Sequence, residues 1–431
     1  MKKSYRSVII GMLALLLSSA SIGFIQQPVM AAVSNNVQVN NETKNFRINA
    51  SAGIAVDVNT GKILFSQNAQ TTLPIASLTK LLTLYIVLQQ IKAGKLTWNQ
   101  KITPTTSIVA LGKNSQLASV PLQINHQYTV KQLYQASLIY SANDAVMLLA
   151  QAATGSQQNA IKLMRQQAKK WHLKNVVIVN TCGLNNKYLG NNRAINSNPE
   201  GENMMTAEDV AIVARHLIQD FPKVLTTTKM TTANFGSFRM KNWNLMLPGT
   251  AYADKHIKVD GLKTGTSDAA GACFAGTTLL NDHDRLITVV LHANGNDETG
   301  KRFIVTDKLM KYVLDNWQVQ TVLKAYHESS SLSDVNVPNG KKLKLVVVPK
   351  DNVQVLTNKQ VTNKIIFDQK HKKVIAPVNK DKVVGNVVVY NNDNLGYLPQ
   401  CKKAQSQLLA KENDPEANIF VRIWRKISSI F

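Results

Sequence analysis

Between Leu73 and Ile91 the chain offers a single charge, Lys80, in an otherwise apolar stretch. Leu78, Leu81, Leu82, Tyr85 and Leu88 recur at helical spacing, and Pro74 stands near the start, where proline is tolerated. The stretch is apolar around most of its circumference, so the predicted helix must be buried rather than laid on a surface. Such a helix needs other elements packed on all sides, and it carries a lysine inside with it. Burial disfavours a charged amine and lowers its pKa. Ser77 precedes Lys80 by three residues, a spacing that puts both side chains on one helix face. A serine is a weak nucleophile at its own pKa and requires a base, which a neutral lysine supplies.

The rest of the chain reads as surroundings for this helix. Ala52 to Val58, the turn Asn59-Thr60-Gly61-Lys62 and Ile63 to Phe65 form a predicted hairpin. Helical patterns follow at 130–153, 157–171 and 206–218, then strand patterns at 272–279 and 285–292, and a helix at about 301–316. Strands, many helices, strands and a helix make an α+β layout and not a parallel βαβ repeat. At 431 residues two or three domains are expected, and 44% hydrophobic with 18% charged residues excludes a disordered or fibrous chain.

The predicted catalytic domain covers 46–317. Past Trp317, Val- and Ile-rich runs at 343–348, 353–356, 364–367, 374–376 and 383–390 predict a separate all-β domain over 318–400. Residues 324–400 hold 12 Lys against 6 acidic residues and no catalytic cluster, which suits a spacer or docking module. Residues 401–431 read as a linker and an amphipathic helix started by Asp414-Pro415-Glu416. Ile419, Phe420, Ile423, Trp424, Ile427, Ile430 and Phe431 fall on one face, with Arg422, Arg425 and Lys426 on the other. That pattern anticipates a salt-sensitive anchor on an anionic membrane surface.

At the other end, Lys2, Lys3 and Arg6 precede the apolar run Val8 to Leu17, and Ala31-Ala32 follow as a cleavage site. Residues 1–32 therefore read as a signal peptide and 33–45 as a flexible lead-in, which places the expected protein outside the cell, peripheral on the outer face of the cytoplasmic membrane. The formal net charge of +24 favours anionic wall polymers or lipid. A nucleic-acid role is not expected, because the leader exports the chain and no reader motif is present. Three cysteines without a C-x-x-C pair support neither a disulfide framework nor a zinc ribbon, and eight histidines form no metal-binding pair. No metal or other cofactor is expected.

Two further motifs join Ser77-Leu78-Thr79-Lys80. Ser141-Ala142-Asn143 follows a helical segment, and Lys263-Thr264-Gly265 follows Val259-Asp260-Gly261-Leu262 on a predicted strand whose glycines admit a substrate backbone. Each is short, but in this order they make the combination shared by serine β-lactamases and penicillin-binding proteins. From Phe46 to Pro399 the chain resembles the D-alanyl-D-alanine carboxypeptidases among the low-molecular-mass penicillin-binding proteins. Asp57 to Lys62, Pro74 to Lys80, Ser141 to Ala145, Asn180 to Leu184, Val259 to Gly265 and Arg285 to Ile287 carry the likeness.

The resemblance implies the β-lactamase-like α+β serine transpeptidase fold, an antiparallel sheet flanked by helices with a helical subdomain. It implies Ser77 as nucleophile, Lys80 as base, and Ser141 and Asn143 as proton-relay and substrate-amide contacts. Lys263 with Thr264 would lie by the substrate carboxylate, Gly265 would also bind substrate, and the backbone N–H groups of Ser77 and Thr266 would form the oxyanion hole. Arg302 aligns with a family arginine. Where the family often has a basic residue before an Asn-x-Leu segment, this chain has Trp243. The implied substrate is a peptidoglycan stem pentapeptide ending in D-Ala-D-Ala, with β-lactams as inhibitors.

A class A β-lactamase needs a Glu to activate the deacylating water, and no Glu occurs between Asp144 and Glu200. A wall-binding protein on an inactive scaffold would be favoured by loss of Ser77, Lys80 or Lys263, and all three are present.

Overall fold

The computed structural model describes residues 45–281, 284–295, 300–359, 365–391, 393–401 and 403–428. The expected signal peptide lies outside them, as do the lead-in apart from Asn45 and the last tail positions Ile430 and Phe431.

A five-stranded antiparallel sheet organises the catalytic part. Its strands are β1 (Ala50–Asp57), β2 (Ile63–Gln67), β3 (Gly261–Ser267), β4 (Gly271–Leu279) and β5 (Arg285–Ala293), in spatial order β2-β1-β5-β4-β3. Successive residues of a strand point to opposite faces, so the almost unbroken burial of β1 and β5 means that both faces are covered. The helices are α1 (Thr79–Lys92), α2 (Asn143–Thr154), α3 (Gln157–Lys170), α4 (Ala207–Asp220) and α5 (Lys301–Asn316). Helices α4 and α5 lie on the sheet, and α1 runs between α2, α3 and α4. Every α1 residue from Thr79 to Leu88 is buried, as its composition requires. The helix expected over 130–153 is broken: a five-residue π-turn, Ala136–Tyr140, ends at Ser141, and α2 begins anew at Asn143.

Beyond α5, strands β6 (Trp317–Leu323), β7 (Val347–Pro349), β8 (Val353–Asn358), β9 (Ile365–His371), β10 (Val383–Asn391) and β11 (Ala404–Ala410) build the β domain. β11 is an inner strand of the sheet β7-β11-β10-β9, so the domain continues past the expected end at 400. Residues 374–376 are mostly buried but form no strand. The final helix, α6 (Ile419–Ser428), starts not at Asp414-Pro415-Glu416 but at Asn418, whose side chain accepts from the Val421 N–H at 2.9 Å. Asp414 instead bridges to Val378 inside the β domain.

The two parts meet at the first hairpin. Lys62, 1% exposed, donates to Asp393 at 2.7 Å and to the Gly396 carbonyl at 2.9 Å, and lies over the Trp317 and Tyr397 rings. Backbone bonds from Ile63 to Gly396 (3.1 Å) and from Leu398 to Gly61 (2.8 Å) flank it. Burial lowers the Lys62 pKa and the Asp393 charge counters it. Removing one partner of a buried pair strands the other charge, so Asp393→Ala should destabilise the protein by about 3 kcal/mol in chemical denaturation. Lys62→Met combined with Asp393→Leu should lose much less.

Candidate active site

The turn before α1 is held in an uncommon conformation. Ala76 has φ +44°, and the Ile75 N–H donates to the Asn203 carbonyl at 3.1 Å. Gly183, φ +84°, packs so tightly that a Cβ there would collide with the Ala76 carbonyl. Ser77 follows this turn, and Lys80, the second residue of α1, is fully buried. The Lys80 ammonium donates to Ser77 Oγ at 2.8 Å, to Asn143 Oδ1 at 2.8 Å and to the Cys182 carbonyl at 2.7 Å, which uses all three of its hydrogens. Burial brings its pKa down to about 8, against the opposing pull of its acidic neighbours Cys182 and Asp144.

Each acceptor is fixed in turn. Asn143 donates from both its backbone N–H (2.8 Å) and its side-chain amide (2.9 Å) to the Ala118 carbonyl, which leaves its Oδ1 toward Lys80. Asn180 Oδ1 accepts from the N–H groups of Cys182 (3.2 Å) and Gly183 (2.7 Å), closing the turn that aims the Cys182 carbonyl. Asp144, fully buried, accepts from the Val120 N–H at 3.2 Å and the Ala145 N–H at 2.8 Å, and burial pushes its pKa up to about 7. Sequence reasoning assigns no role to Asn180, Cys182, Asp144 or Asn203. The clues are the Asn-x-x-Gly turn signal at Asn180 and the family likeness carried by Ser141 to Ala145 and Asn180 to Leu184.

Ser141 sits at the break between helices in left-handed conformation, φ 61° and ψ 24°. Among the described residues its hydroxyl makes no hydrogen bond to Ser77 or Lys80. On the other side, β3 lies against the Ser77 turn: a Cβ on Gly265 would come within 2.8 Å of the Ile75 carbonyl and 3.2 Å of the Ser77 nitrogen. Only glycine permits that approach. Lys263 is buried and donates to the Thr264 carbonyl at 2.8 Å. Burial, reinforced by repulsion from Lys80 and Arg302, holds its pKa well below the usual lysine value. Arg302 donates to the carbonyls of Gly265 (2.7 Å) and Cys273 (3.1 Å) and to Thr266 Oγ1 (2.8 Å), so it braces the end of β3. Trp243 is half exposed, and its indole donates to the Tyr140 carbonyl at 2.9 Å. Among the described residues no three His, Cys, Asp or Glu side chains group to hold a metal ion.

A hydroxyl hydrogen-bonded to a buried amine of lowered pKa, beside a sheet edge with buried cations, can attack a carbonyl of an anionic substrate. Residues 37–295 match the family described as Peptidase_S11, D-alanyl-D-alanine carboxypeptidase, and residues 321–416 match the penicillin-binding protein 5 C-terminal domain. The D-alanyl-D-alanine carboxypeptidase DacA of Haemophilus influenzae is 29% identical over 389 residues, 88% of each chain. DacF of Bacillus subtilis is 24% identical over 87% of this chain and 88% of its own. Among solved structures, PBP3 of Streptococcus pneumoniae, described as a peptidoglycan synthesis regulatory factor, superposes with a TM-score of 0.73 at 33% identity. It covers 86% of this chain and all (100%) of its own. Penicillin-binding protein D2 of Listeria monocytogenes, solved in a cefotaxime-bound form, gives 0.52 at 30% identity over 63% of this chain and 99% of its own.

If neutral Lys80 takes the Ser77 proton, the rate at which Ser77 is acylated should rise with pH through about 8, where Lys80 loses its proton, and level off above. Stopped-flow acylation across pH 6 to 10 checks this. Lys80→Arg, whose guanidinium stays protonated, should lower the rate at least about 100-fold in a folded protein.

Proposed function

The chain belongs to the D-alanyl-D-alanine carboxypeptidase family and is a serine-type D-Ala-D-Ala carboxypeptidase; from that premise we propose the roles its residues take. Ser77 Oγ attacks the carbonyl between the two terminal D-alanines of a peptidoglycan stem peptide. Its proton passes to neutral Lys80, and the N–H groups of Ser77 and Thr266 receive the developing oxyanion. The scissile C–N bond breaks, the leaving amine takes a proton, and free D-alanine departs. Water then cleaves the Ser77 ester and restores the hydroxyl. Ser141 hands the proton toward the leaving amine, and Lys263, Thr264 and Arg302 favour the substrate's terminal carboxylate. The observation that carries this reading is the 2.8 Å bond between the fully buried Lys80 amine and Ser77.

A β-lactam offers the same nucleophile a strained amide carbonyl, and the cefotaxime-bound relative supports its use as an inhibitor. Wild type incubated with benzylpenicillin should gain one penicilloyl mass, and Ser77→Ala should gain none. An adduct on the Ala variant would refute the nucleophile assignment.

The reading extends to location: an exported enzyme held peripherally on the outer face of the cytoplasmic membrane by α6. Ile419, Phe420, Ile423, Trp424 and Ile427 are 57%, 80%, 52%, 72% and 49% exposed, which favours a lipid partner over packing on the enzyme's own domain. Arg425 is committed to the Gly340 carbonyl at 2.6 Å and Arg422 to Glu416 at 2.8 Å. The apolar face therefore dominates, and salt sensitivity is weaker than the sequence pattern suggests. Ile423→Asp with Trp424→Asp should cut sedimentation with anionic vesicles about tenfold or more, while soluble-substrate activity persists. Undiminished vesicle binding of that variant would make the tail purely structural.

A further inference from the structure

The proposed reaction leaves Glu202 unused. Its neighbour Asn203 is pinned to the nucleophile's turn, accepting from the Ile75 N–H at 3.1 Å and donating to Thr79 Oγ1 at 3.0 Å. From there the Glu202 carboxylate reaches across the site and accepts from Ser267 Oγ at 2.9 Å, at the last residue of β3. Asn185 donates to its other oxygen at 3.4 Å. A carboxylate has about four acceptor positions, and these two contacts leave capacity on a half-buried side chain.

The position matters because β3 is an edge strand, bonded only to β4 among the described residues, and the Ser77 turn packs against its face at Gly265, beside that open edge. An extended peptide adds to such an edge by main-chain pairing. With the substrate carboxylate at Lys263 and Thr264 and the oxyanion at Thr266, an antiparallel peptide runs toward its own N-terminus past Thr266. The residue before the D-Ala-D-Ala pair then lies beside Ser267. In a stem peptide that residue carries an amine at the end of its side chain, free before cross-linking and acylated afterwards.

We propose that Glu202 is a specificity residue that receives the free side-chain amine of the residue preceding D-Ala-D-Ala, so that the enzyme favours stems whose amine is not cross-linked. The inference rests on the carboxypeptidase reading and on the direction of the peptide along β3. It assigns the substrate's amine a charge-assisted hydrogen bond at a partly exposed site, a contact of modest size.

The test compares kcat/KM for release of D-alanine from two tripeptides, Nα-acetyl-L-Lys-D-Ala-D-Ala and its Nε-acetylated form. Wild type should prefer the free amine by about fivefold or more, and Glu202→Gln should bring the ratio to about one. Glu202→Asp, which keeps the charge, should retain part of the preference, a rescue that a purely structural role would not produce. Penicilloyl formation on each variant establishes that its site is assembled. A wild type that hydrolyses both peptides equally, or a Glu202→Gln that keeps the preference, overturns the inference. A wild type that releases D-alanine from neither peptide overturns the carboxypeptidase reading, and this inference with it.

Discussion

A lysine amine enclosed in the core is the constraint on which the rest of this structure depends. Lys80 sits on an apolar helix buried from Thr79 to Leu88, and an ammonium there is tolerable only if each of its hydrogens finds an acceptor. The fold supplies three from three separate places: Ser77 on the preceding turn, Asn143 across the break before α2, and the Cys182 carbonyl on a loop. Several unusual backbone features lie close to these acceptors. Ala76 and Ser141 both take positive φ, and Gly183 and Gly265 leave no room for a side chain. Strain of this kind persists only where surrounding contacts over-determine it, and here three segments converge on one amine.

The charge balance of the site follows from the same enclosure. Lys80, Lys263 and Arg302 are all buried and burial lowers the pKa of each; Lys263 is lowered further by repulsion from Lys80 and Arg302, and Asp144 is the buried carboxylate that offsets Lys80. An anionic ligand relieves that repulsion, so the site is poised to gain from a terminal carboxylate. Under the proposed roles, the same enclosure suits two lysines to opposite ends, one to accept a proton and one to hold charge when an anion arrives.

What the sequence makes legible is set by side-chain chemistry. The apolar periodicity around Lys80, the strand carrying Lys263 to Gly265 and the α+β order can all be read from residue types, and the structure has them. The acceptor on Cys182 cannot, because it is a backbone carbonyl and its residue type is irrelevant. Nor can the break at Ala136–Tyr140, where no Gly or Pro interrupts an apolar helical pattern. Ala404–Ala410 escapes notice because Gln405 and Gln407 alternate with small residues and little in it is β-branched; its place inside the sheet comes from pairing with β10 and β7. The tail's two arginines read as part of a free cationic face because periodicity identifies a face but not what lies beneath it. Arg425 in fact grips the backbone around Gly340.

That grip joins the ends of a longer chain of contacts. Arg425 fastens α6 to the β domain, and the β domain is fastened to the first hairpin through Lys62 and the paired backbone of Gly61, Ile63, Gly396 and Leu398. The hairpin is the edge of the sheet whose opposite edge, β3, borders Ser77. Every link is a hydrogen bond between ordered elements, and none relies on a surface ion pair alone. The β domain thus links the helix that carries the exposed apolar face to the sheet whose far edge borders Ser77. Of these links, the buried Lys62 charge is the one whose loss would leave an unpaired ion in the interior, and so the one least open to substitution.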